Sequence, residues 1–185
     1  MWARERAREV AATLRGEASE VVLIDGPSGA GKSTFATELH AGWRGPARPV
    51  LVRMDDIYPG WNGLDEASRH LHDDLLEPRS RGEAAGWRRH DWVRNAPAEW
   101  HPVDRRRPLI VEGCGTLSAS NARLATLRIW LDADDARRKE RALERDGGAF
   151  DAHWEMWDRQ FQAFVERERP RDLADIVLAM DPVSG

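Results

Sequence analysis

A glycine-rich segment between an apolar run and a helix-forming run limits this chain to few folds. The apolar residues VVLID (21–25) are rich in β-branched side chains and predict a buried strand. The next residues, GPSGAGKS (26–33), satisfy the pattern G-x-x-x-x-G-K-[ST], and STFATELHAGW (33–43) predicts a helix. This order predicts a loop whose backbone N–H groups surround an anion at the positive end of a helix dipole.

The lysine of this motif is unusual because the chain otherwise takes its positive charge from arginine. Of the 28 Lys and Arg residues, only Lys32 and Lys139 are lysines. An ammonium on a thin arm suits a narrow cradle better than a planar guanidinium does. We therefore predict that Lys32 reaches the β- and γ-phosphates of a nucleoside triphosphate and that the Ser33 hydroxyl ligates Mg²⁺. The rest of the phosphate contacts are expected from Gly26, Pro27, Ser28, Gly29, Ala30, Gly31 and Thr34. The alternative is a glycine-rich turn that matches the pattern by chance.

Composition excludes several other classes of protein. A chain of 185 residues fits one domain, and a net charge of −4 argues against a dedicated nucleic-acid binder. The one cysteine, Cys114, excludes an internal disulfide and fits a reducing compartment. The first ten residues are charged from residue 4, and no apolar run approaches the roughly 18 residues that a membrane span needs. We expect a cytoplasmic protein with neither nucleic-acid nor membrane partners, and its oligomeric state stays open.

Five short apolar runs alternate with helical patterns along the chain. The predicted strands are residues 21–25, 49–54, 108–113, 126–132 and 175–180. The predicted helices are residues 3–15, 33–43, 64–78 (stopped by Pro78), 133–146 and 151–168. Residues 79–107 show no sustained periodicity and are expected to form short helical or hairpin pieces. Strands separated by helices predict an α/β fold, a three-layer sandwich with a five-stranded parallel sheet, in a single domain over 1–185.

The phosphate loop alone does not distinguish kinases, GTPases and motors. The chain contains no Asn-Lys-x-Asp, which a GTPase needs to read its base. The strand LIVE ends in Glu112 rather than in the Asp or Asp-Glu typical of motors and AAA-type ATPases. Small-molecule and nucleotide kinases remain.

Four further segments resemble, in the same order, the P-loop kinase group that contains uridine kinase, pantothenate kinase and phosphoribulokinase. They are VRMDDIYPGW (52–61), IVEG (110–113), LDADDARRKERALERD (131–146) and RPRDLADIVL (169–178). The resemblance implies a P-loop NTPase fold with an acceptor-side insertion at about 56–107 and a helical lid at about 134–150. It also implies an ATP- and Mg²⁺-dependent kinase. The passage that uridine kinases use near their acceptor is replaced here by YPGWNGLDEASRH, so the resemblance supports the ATP-side assignments more strongly than it supports uridine as the acceptor.

The resemblance assigns roles to carboxylates at two strand ends. Asp55 matches the family's catalytic aspartate, and Asp56 stands where serine is usual; we expect Asp55 to act as general base, to contact the acceptor and to contribute to the metal site. Glu112 is expected to hold Mg²⁺ directly or through water, near the acceptor. In each case the alternative is a strand-end carboxylate that only caps nearby backbone.

The resemblance also points to lid and acceptor residues. Arg138, Arg141 and Arg145 match lid arginines that would contact phosphate and stabilise the transition state, with Gly147-Gly148 as a flexible end. The alternative is a solvated helix whose arginines pair with Glu140 and Glu144. On the acceptor side we expect Tyr58, Trp61, His90 and Asp91, where Trp61 could stack on a flat substrate, although tryptophans more often serve packing.

The sequence thus favours a kinase that phosphorylates a hydroxyl of a small-molecule acceptor. A uridine- or cytidine-like nucleoside is the first expectation, ahead of pantothenate-like alcohols and sugar phosphates. Two alternatives stay open: a nucleoside monophosphate kinase, and a nucleotide-binding regulatory protein without transfer activity.

Overall fold

A five-stranded parallel sheet forms the centre of the molecule. The computed structural model describes residues 2–145 and 151–180, and of Arg145 and Asp151 only the backbone. The sheet contains β1 (Val21–Asp25), β2 (Val50–Arg53), β5 (Leu109–Glu112), β6 (Leu127–Asp132) and β7 (Ile176–Ala179). Their order across the sheet is β2-β5-β1-β6-β7, and every neighbouring pair is parallel. The five predicted strands and the α/β class are confirmed.

The sheet is covered on both faces because its inner strands are apolar on both sides. Val21 and Leu23 of β1 pack into one cluster of buried residues, while Val22 and Ile24 pack into the other. One layer of helices consists of α1 (Trp2–Thr13) and α2 (Lys32–Ala41). The other layer includes α3 (Leu64–His70) and α7 (Trp154–Glu168). The remaining helices are α4 (Glu77–Ser80), α5 (Ala119–Ala122), α6 (Asp135–Arg145) and α8 (Pro170–Leu173), with 3₁₀ turns at Met54–Asp56 and Asp151–His153.

The amphipathic helix predicted to stop at Pro78 continues to Ser80, so that boundary was wrong. A π-helical segment, Leu71–Leu76, joins α3 to α4 without a break. The π-helical turn ends directly before α4, so the hydrogen-bond register changes just ahead of Pro78, a residue that has no N–H to donate. The chain turns instead at Gly82, whose φ is +74°.

The segment between α4 and β5 contains an antiparallel hairpin, as the hairpin alternative for this region predicts. Its strands are β3 (Gly86–Asp91) and β4 (Ala96–Pro102), and their register shifts between Arg88 and His90. The hairpin lies outside the main sheet and contacts the 3₁₀ turn after β2. It therefore stands beside the carboxyl edge of the parallel strands.

The charged helix predicted at 133–146 is α6, which follows β6. Gly147-Gly148 and the end of the predicted lid lie outside the described residues. Among the described residues, no helix combines the length and the apolar character that crossing a membrane requires.

Candidate functional site

The phosphate loop connects the end of β1 to the first residue of α2. Gly26, Gly29 and Gly31 have φ values of +145°, +81° and +83°, which side-chain-bearing residues rarely adopt. A Cβ on Gly26 would run into the carbonyl oxygen of Leu131, and one on Gly29 into that of Arg138. The loop thus lies directly against the end of β6 and against α6, and only glycine allows this approach. The backbone therefore has the glycine conformations that the predicted cradle requires.

The Lys32 side chain lies inside this loop. Its Nζ donates hydrogen bonds to the carbonyls of Gly26 (2.8 Å) and Pro27 (2.9 Å) and reaches the Cys114 sulfur at 3.5 Å. The side chain is buried, at 8% exposure. An ammonium held among backbone carbonyls at a helix N-terminus is positioned to meet an anion in the loop.

Asp25, which the sequence analysis did not single out, organises the loop from behind. It is fully buried at the end of β1, and its two carboxylate oxygens accept hydrogen bonds from the N–H groups of Gly26 (2.7 Å), Gly115 (3.1 Å) and Leu117 (2.8 Å). Burial raises the pKa of Asp25 from 3.8 to about 6, while these donors and Lys32 oppose that rise. Asp25 therefore joins the phosphate loop to the loop that follows β5.

Three oxygen-bearing side chains collect next to Lys32. Glu112, only 3% exposed at the end of β5, faces Ser33 and Asp55; burial raises its pKa, and a hydrogen bond with Ser33 opposes the rise. The Arg53 guanidinium lies 3.7 Å from the Glu112 carboxylate. Hydroxyl and carboxylate oxygens are ligands that Mg²⁺ prefers, and a divalent cation would offset the cost of burying Glu112 beside Asp55. These residues therefore fit a magnesium ion.

The two neighbouring aspartates after β2 have different surroundings. Asp55 is exposed and lines the cavity in front of Lys32. Asp56 is half-buried, and its pKa is raised by burial and by Asp55, while Arg53 and Arg89 oppose that rise. Among the described residues, Asp56 is not part of the cavity wall. The geometry thus distinguishes the two, and Asp55 is the one that faces the space in front of the loop.

A cavity of about 530 Å³ opens in front of the phosphate loop. It joins the loop, the strand-end carboxylates, part of α6 and a group of aromatic rings. Its walls are formed by Ser28, Gly29, Gly31, Lys32, Ser33, Thr34, Asp55, Tyr58, Trp61, Trp92, Glu112, Gly113, Cys114, Arg141, Ala142, Trp157 and Met180.

The aromatic wall is tied to the phosphate loop by hydrogen bonds. Tyr58 is buried, packs edge-on against Trp157 with ring centroids 4.7 Å apart, and donates its hydroxyl to the Cys114 carbonyl at 2.8 Å. The Trp157 indole N–H donates to Ser28 Oγ at 3.0 Å. The sequence pattern gave Trp157 no role in the site. The structure places it in contact with the loop, 129 positions away in the chain.

The predicted lid arginines are separated by the structure. Arg141 lines the cavity, donates Nε to the Arg137 carbonyl at 3.2 Å and contacts the Met180 sulfur. Arg138, by contrast, is 4% exposed, donates to Asp135 (2.6 Å) and Asp158 (2.9 Å), and lies over the Trp154 ring at 5.3 Å. In this arrangement the Arg138 side chain links α6 to α7, and it is not among the described residues that line the cavity; its phosphate contact stays a prediction. The Arg145 side chain lies outside what the structure describes.

His90 and Asp91 are also not among the described residues that line the main cavity, and their contacts with an acceptor stay a prediction. Asp91 Oδ1 accepts from the N–H groups of Val93 and Arg94, both at 3.0 Å, and so forms the turn of the hairpin. His90 is buried, and its Nε2 lies 3.2 Å from Asn95 Oδ1. Both side chains are used to shape the hairpin.

The fold and the loop together define a P-loop protein of the α/β class. No family model and no curated protein sequence matches the chain. Solved structures do match: a possible uridine kinase from Bacillus stearothermophilus, 17% identical, with a TM-score of 0.62 over 96% of this chain and 100% of that one. A second is a candidate fructose transport system kinase from Silicibacter sp. TM1040, 18% identical, with a TM-score of 0.53 over 96% of this chain and 98% of that one. The resemblance drawn from the sequence motifs is confirmed at the level of the fold.

Proposed function

We propose that this protein is an ATP- and Mg²⁺-dependent phosphotransferase that moves the γ-phosphoryl group to a hydroxyl of a small metabolite. One observation carries the proposal: Lys32, Glu112 and Asp55 line the same cavity, which continues to an aromatic wall. A cation in a phosphate cradle and a carboxylate facing it are the two groups that transfer to an alcohol needs. The two structural neighbours named above are both described as kinases, which supports the same class.

Each step of the proposed phosphoryl transfer involves particular residues of the chain. The loop amides and the Lys32 ammonium hold the triphosphate and compensate charge on its oxygens. The Asp55 carboxylate accepts the proton of the acceptor hydroxyl while that oxygen forms a bond to the γ-phosphorus. The bond between the γ-phosphorus and the oxygen that bridges it to the β-phosphate breaks, and ADP leaves with the electron pair of that bond.

Three further residues of the cavity wall contribute: Ser33 and Glu112 through a magnesium ion, and Arg141 directly. Ser33 and Glu112 would hold Mg²⁺, with Asp55 nearby, and the ion, when bound, neutralises charge on the phosphate oxygens. Arg141 projects from α6 into the same cavity, where its guanidinium would contact the transferred group. The remaining lid arginines are not needed for this scheme.

A neutral nucleoside of the uridine or cytidine kind is the proposed first acceptor, since aromatic rings form the far end of the cavity. A nucleoside monophosphate kinase would instead turn over CMP or UMP and leave nucleosides unchanged. A regulatory protein without transfer chemistry would bind ATP but release no ADP with any acceptor.

The test is a coupled ADP-release assay over nucleosides, nucleoside monophosphates, pantothenate and sugar phosphates, with magnesium present. We expect Lys32→Ala to lower turnover by at least about 100-fold, because it removes the charge that faces the phosphates. Lys139→Ala is the matched control, since Lys139 lies over the Trp154 ring, and we expect a change below about twofold. Equal background ATPase with every acceptor, or equal activity of the two lysine variants, would contradict the proposal.

The two aspartates provide a second matched pair. We expect Asp55→Asn to lower kcat by about 100-fold or more, with the KM for ATP little changed, because a general base contributes 10²–10⁴-fold, roughly, to transfer. Asp56→Asn should retain activity because Asp56 faces Arg53 and Arg89. The reverse ranking would assign the base to Asp56.

A further inference from the structure

The π-helical segment that joins α3 to α4 and the residue directly after it carry three side chains of the kinds that bind metal ions. They are His72, Asp73 and Glu77, and one candidate ligand atom from each lies within 4.8 Å of the other two. None of the three is among the described residues that line the main cavity. The cluster is therefore distinct from the phosphate loop and from the carboxylates assigned to magnesium.

The wide turn of the π-helix brings these side chains together. In an α-helix, residues five positions apart point about 140° away from each other around the axis. Here the Glu77 N–H donates to the carbonyl of His72, which is the i→i+5 bond of a π-helix. The two side chains meet as a result, and His72 Nε2 lies 3.9 Å from Glu77 Oε2. Asp73 precedes Glu77 by four residues, a spacing at which helical side chains are neighbours.

The backbone and one carboxylate of the cluster are held in place by other contacts. The apolar residues that anchor the segment in the core are Leu71, Leu75 and Leu76. Arg81 Nη1 lies 2.8 Å from Glu77 Oε1, while Oε2 of the same carboxylate faces His72. An ion that binds here meets ligands that are already oriented, so little conformational entropy is lost on binding.

Neither nitrogen of the His72 ring has a hydrogen bond to a described residue. Nδ1 is buried and unpartnered, and the 3.9 Å from Nε2 to Glu77 is too long for a hydrogen bond. The neighbouring helix α5 contributes a buried acceptor, Asn121 Oδ1, which is also unpartnered within the described part of the chain. Asn121 Nδ2 donates to the Ser68 carbonyl, one helical turn before His72. An unpaired acceptor in this contact favours the tautomer with its proton on Nδ1, which leaves the Nε2 lone pair on the side of Glu77 for a metal ion.

The mixture of ligands selects a class of cation. Imidazole nitrogen is a preferred ligand of zinc, iron, nickel and copper ions, whereas Mg²⁺ and Ca²⁺ prefer oxygen ligands alone. Two carboxylates and one neutral imidazole match the charge of a divalent ion. Zn²⁺ accepts His, Asp and Glu as ligands, and with three protein ligands it keeps a further position for water.

We propose that His72, Asp73 and Glu77 bind a divalent transition-metal ion of the zinc type at the junction of α3 and α4. The inference is independent of the proposed phosphotransferase and of its magnesium ion. A bound ion would hold two successive helical turns together and stabilise the folded chain by mass action. The competing explanation is a solvated pair of side chains, such as the one that His70 and Glu66 form in α3.

The experiment is calorimetry of the metal-free full-length chain with Zn²⁺, in excess Mg²⁺ so that sites made only of oxygen ligands are occupied. We expect His72→Ala to raise the Kd for Zn²⁺ by at least about tenfold, because even the loss of a residue that only supports a metal ligand costs roughly 10–100-fold. Glu77→Gln, which keeps the size of the side chain and removes its charge, should raise the Kd by a similar factor. Zn²⁺ should also raise the Tm of the wild type more than that of either variant.

His70→Ala and Glu66→Gln are the matched controls. His70 Nε2 lies 3.9 Å from Glu66 Oε1, the same separation as in the cluster, but no third described residue completes a set of ligands with this pair. Both controls should bind Zn²⁺ with a Kd within about twofold of the wild-type value.

Circular dichroism establishes that each variant is folded, and the two cluster variants test the site independently if one of them misfolds. A wild type that binds no Zn²⁺ in calorimetry would overturn the inference. Equal Zn²⁺ affinities of folded His72→Ala and His70→Ala would overturn it as well, and the cluster would then be a solvated pair. Failure of ADP release with every acceptor would remove the proposed function and leave this site unaffected, because zinc binding is measured without ATP.

Discussion

Asp25 has no exposed surface, yet it is the residue that holds the phosphate loop to the loop after β5. Replacing it with asparagine keeps its size and removes its charge. Burial raises the pKa of Asp25, so its ionised form is less favourable in the folded protein than in the unfolded chain. The stability of the wild type should therefore depend on pH in a way that the Asp25→Asn variant does not share.

The magnitude follows from the two pKa values. With a folded pKa of about 6 and an ordinary value of 3.8, the contribution of Asp25 to stability is fully present below pH 3.8 and is lost as pH rises through 6. The total loss is about 3 kcal/mol, of which roughly half falls between pH 5.0 and pH 7.5. If the Asp25→Asn variant loses the hydrogen bond from the Leu117 N–H, its free energy of unfolding falls by the same amount at both pH values. This loss cancels when the two pH values are compared.

The assay is urea unfolding of both proteins at pH 5.0 and at pH 7.5, followed by the fluorescence of the nine tryptophans. The free energy of unfolding of the wild type minus that of Asp25→Asn should be larger at pH 5.0 than at pH 7.5 by about 1 to 2 kcal/mol. All other titrating groups are common to both proteins and drop out of this difference.

A difference that stays constant within about 0.3 kcal/mol would refute the reasoning. It would mean that the three amide donors and Lys32 outweigh burial and leave the pKa of Asp25 near or below its ordinary range. That result would mean that ionisation of Asp25 carries no cost in stability in this pH range.

Three other variants test residues in and around the cavity. Tyr58→Phe should lower the free energy of unfolding by about 1–2 kcal/mol, because it leaves the Cys114 carbonyl without its donor; urea unfolding checks this, and a loss below about 0.3 kcal/mol would contradict it. Arg138→Ala should destabilise by about 2 kcal/mol, because it leaves Asp158 unpaired, and should change kcat by less than about threefold. Arg141→Ala should instead lower kcat by at least about tenfold with little loss of stability; equal kcat losses in the two arginine variants would show that both act on phosphate.

Local patterns explain which parts of the fold could be predicted from the sequence. β1 is one apolar run with a glycine loop directly behind it, so its burial and its turn can both be read from adjacent residues. The hairpin could be predicted only as an alternative, because its register shifts between Arg88 and His90 and its alternation is irregular. Pro78 misled the helix boundary because a π-helical segment, which no simple pattern indicates, precedes it.

In the candidate site, too, local patterns could be predicted from the sequence and long-range contacts could not. Lys32, Asp55 and Glu112 could be placed together because each follows or ends a parallel strand, and such ends meet at one edge of a sheet. Arg138 could not be separated from Arg141 by spacing, since its position depends on Asp158, 20 residues further along. Asp25 was missed because its partners lie up to 92 positions away and are backbone amides, which carry no sequence signature.

These long-range contacts make the two ends of the cavity parts of one unit. Asp25 joins the phosphate loop to the loop after β5, and Tyr58 joins that loop to the aromatic wall through the Cys114 carbonyl. Trp157 connects the aromatic wall back to the phosphate loop, because its indole N–H donates a hydrogen bond to Ser28 Oγ. Each bond is buried or partly buried, so a shift of the aromatic wall costs hydrogen bonds at the phosphate loop. Binding at the acceptor end should therefore be coupled to the geometry of the phosphate end, without a separate hinge between them.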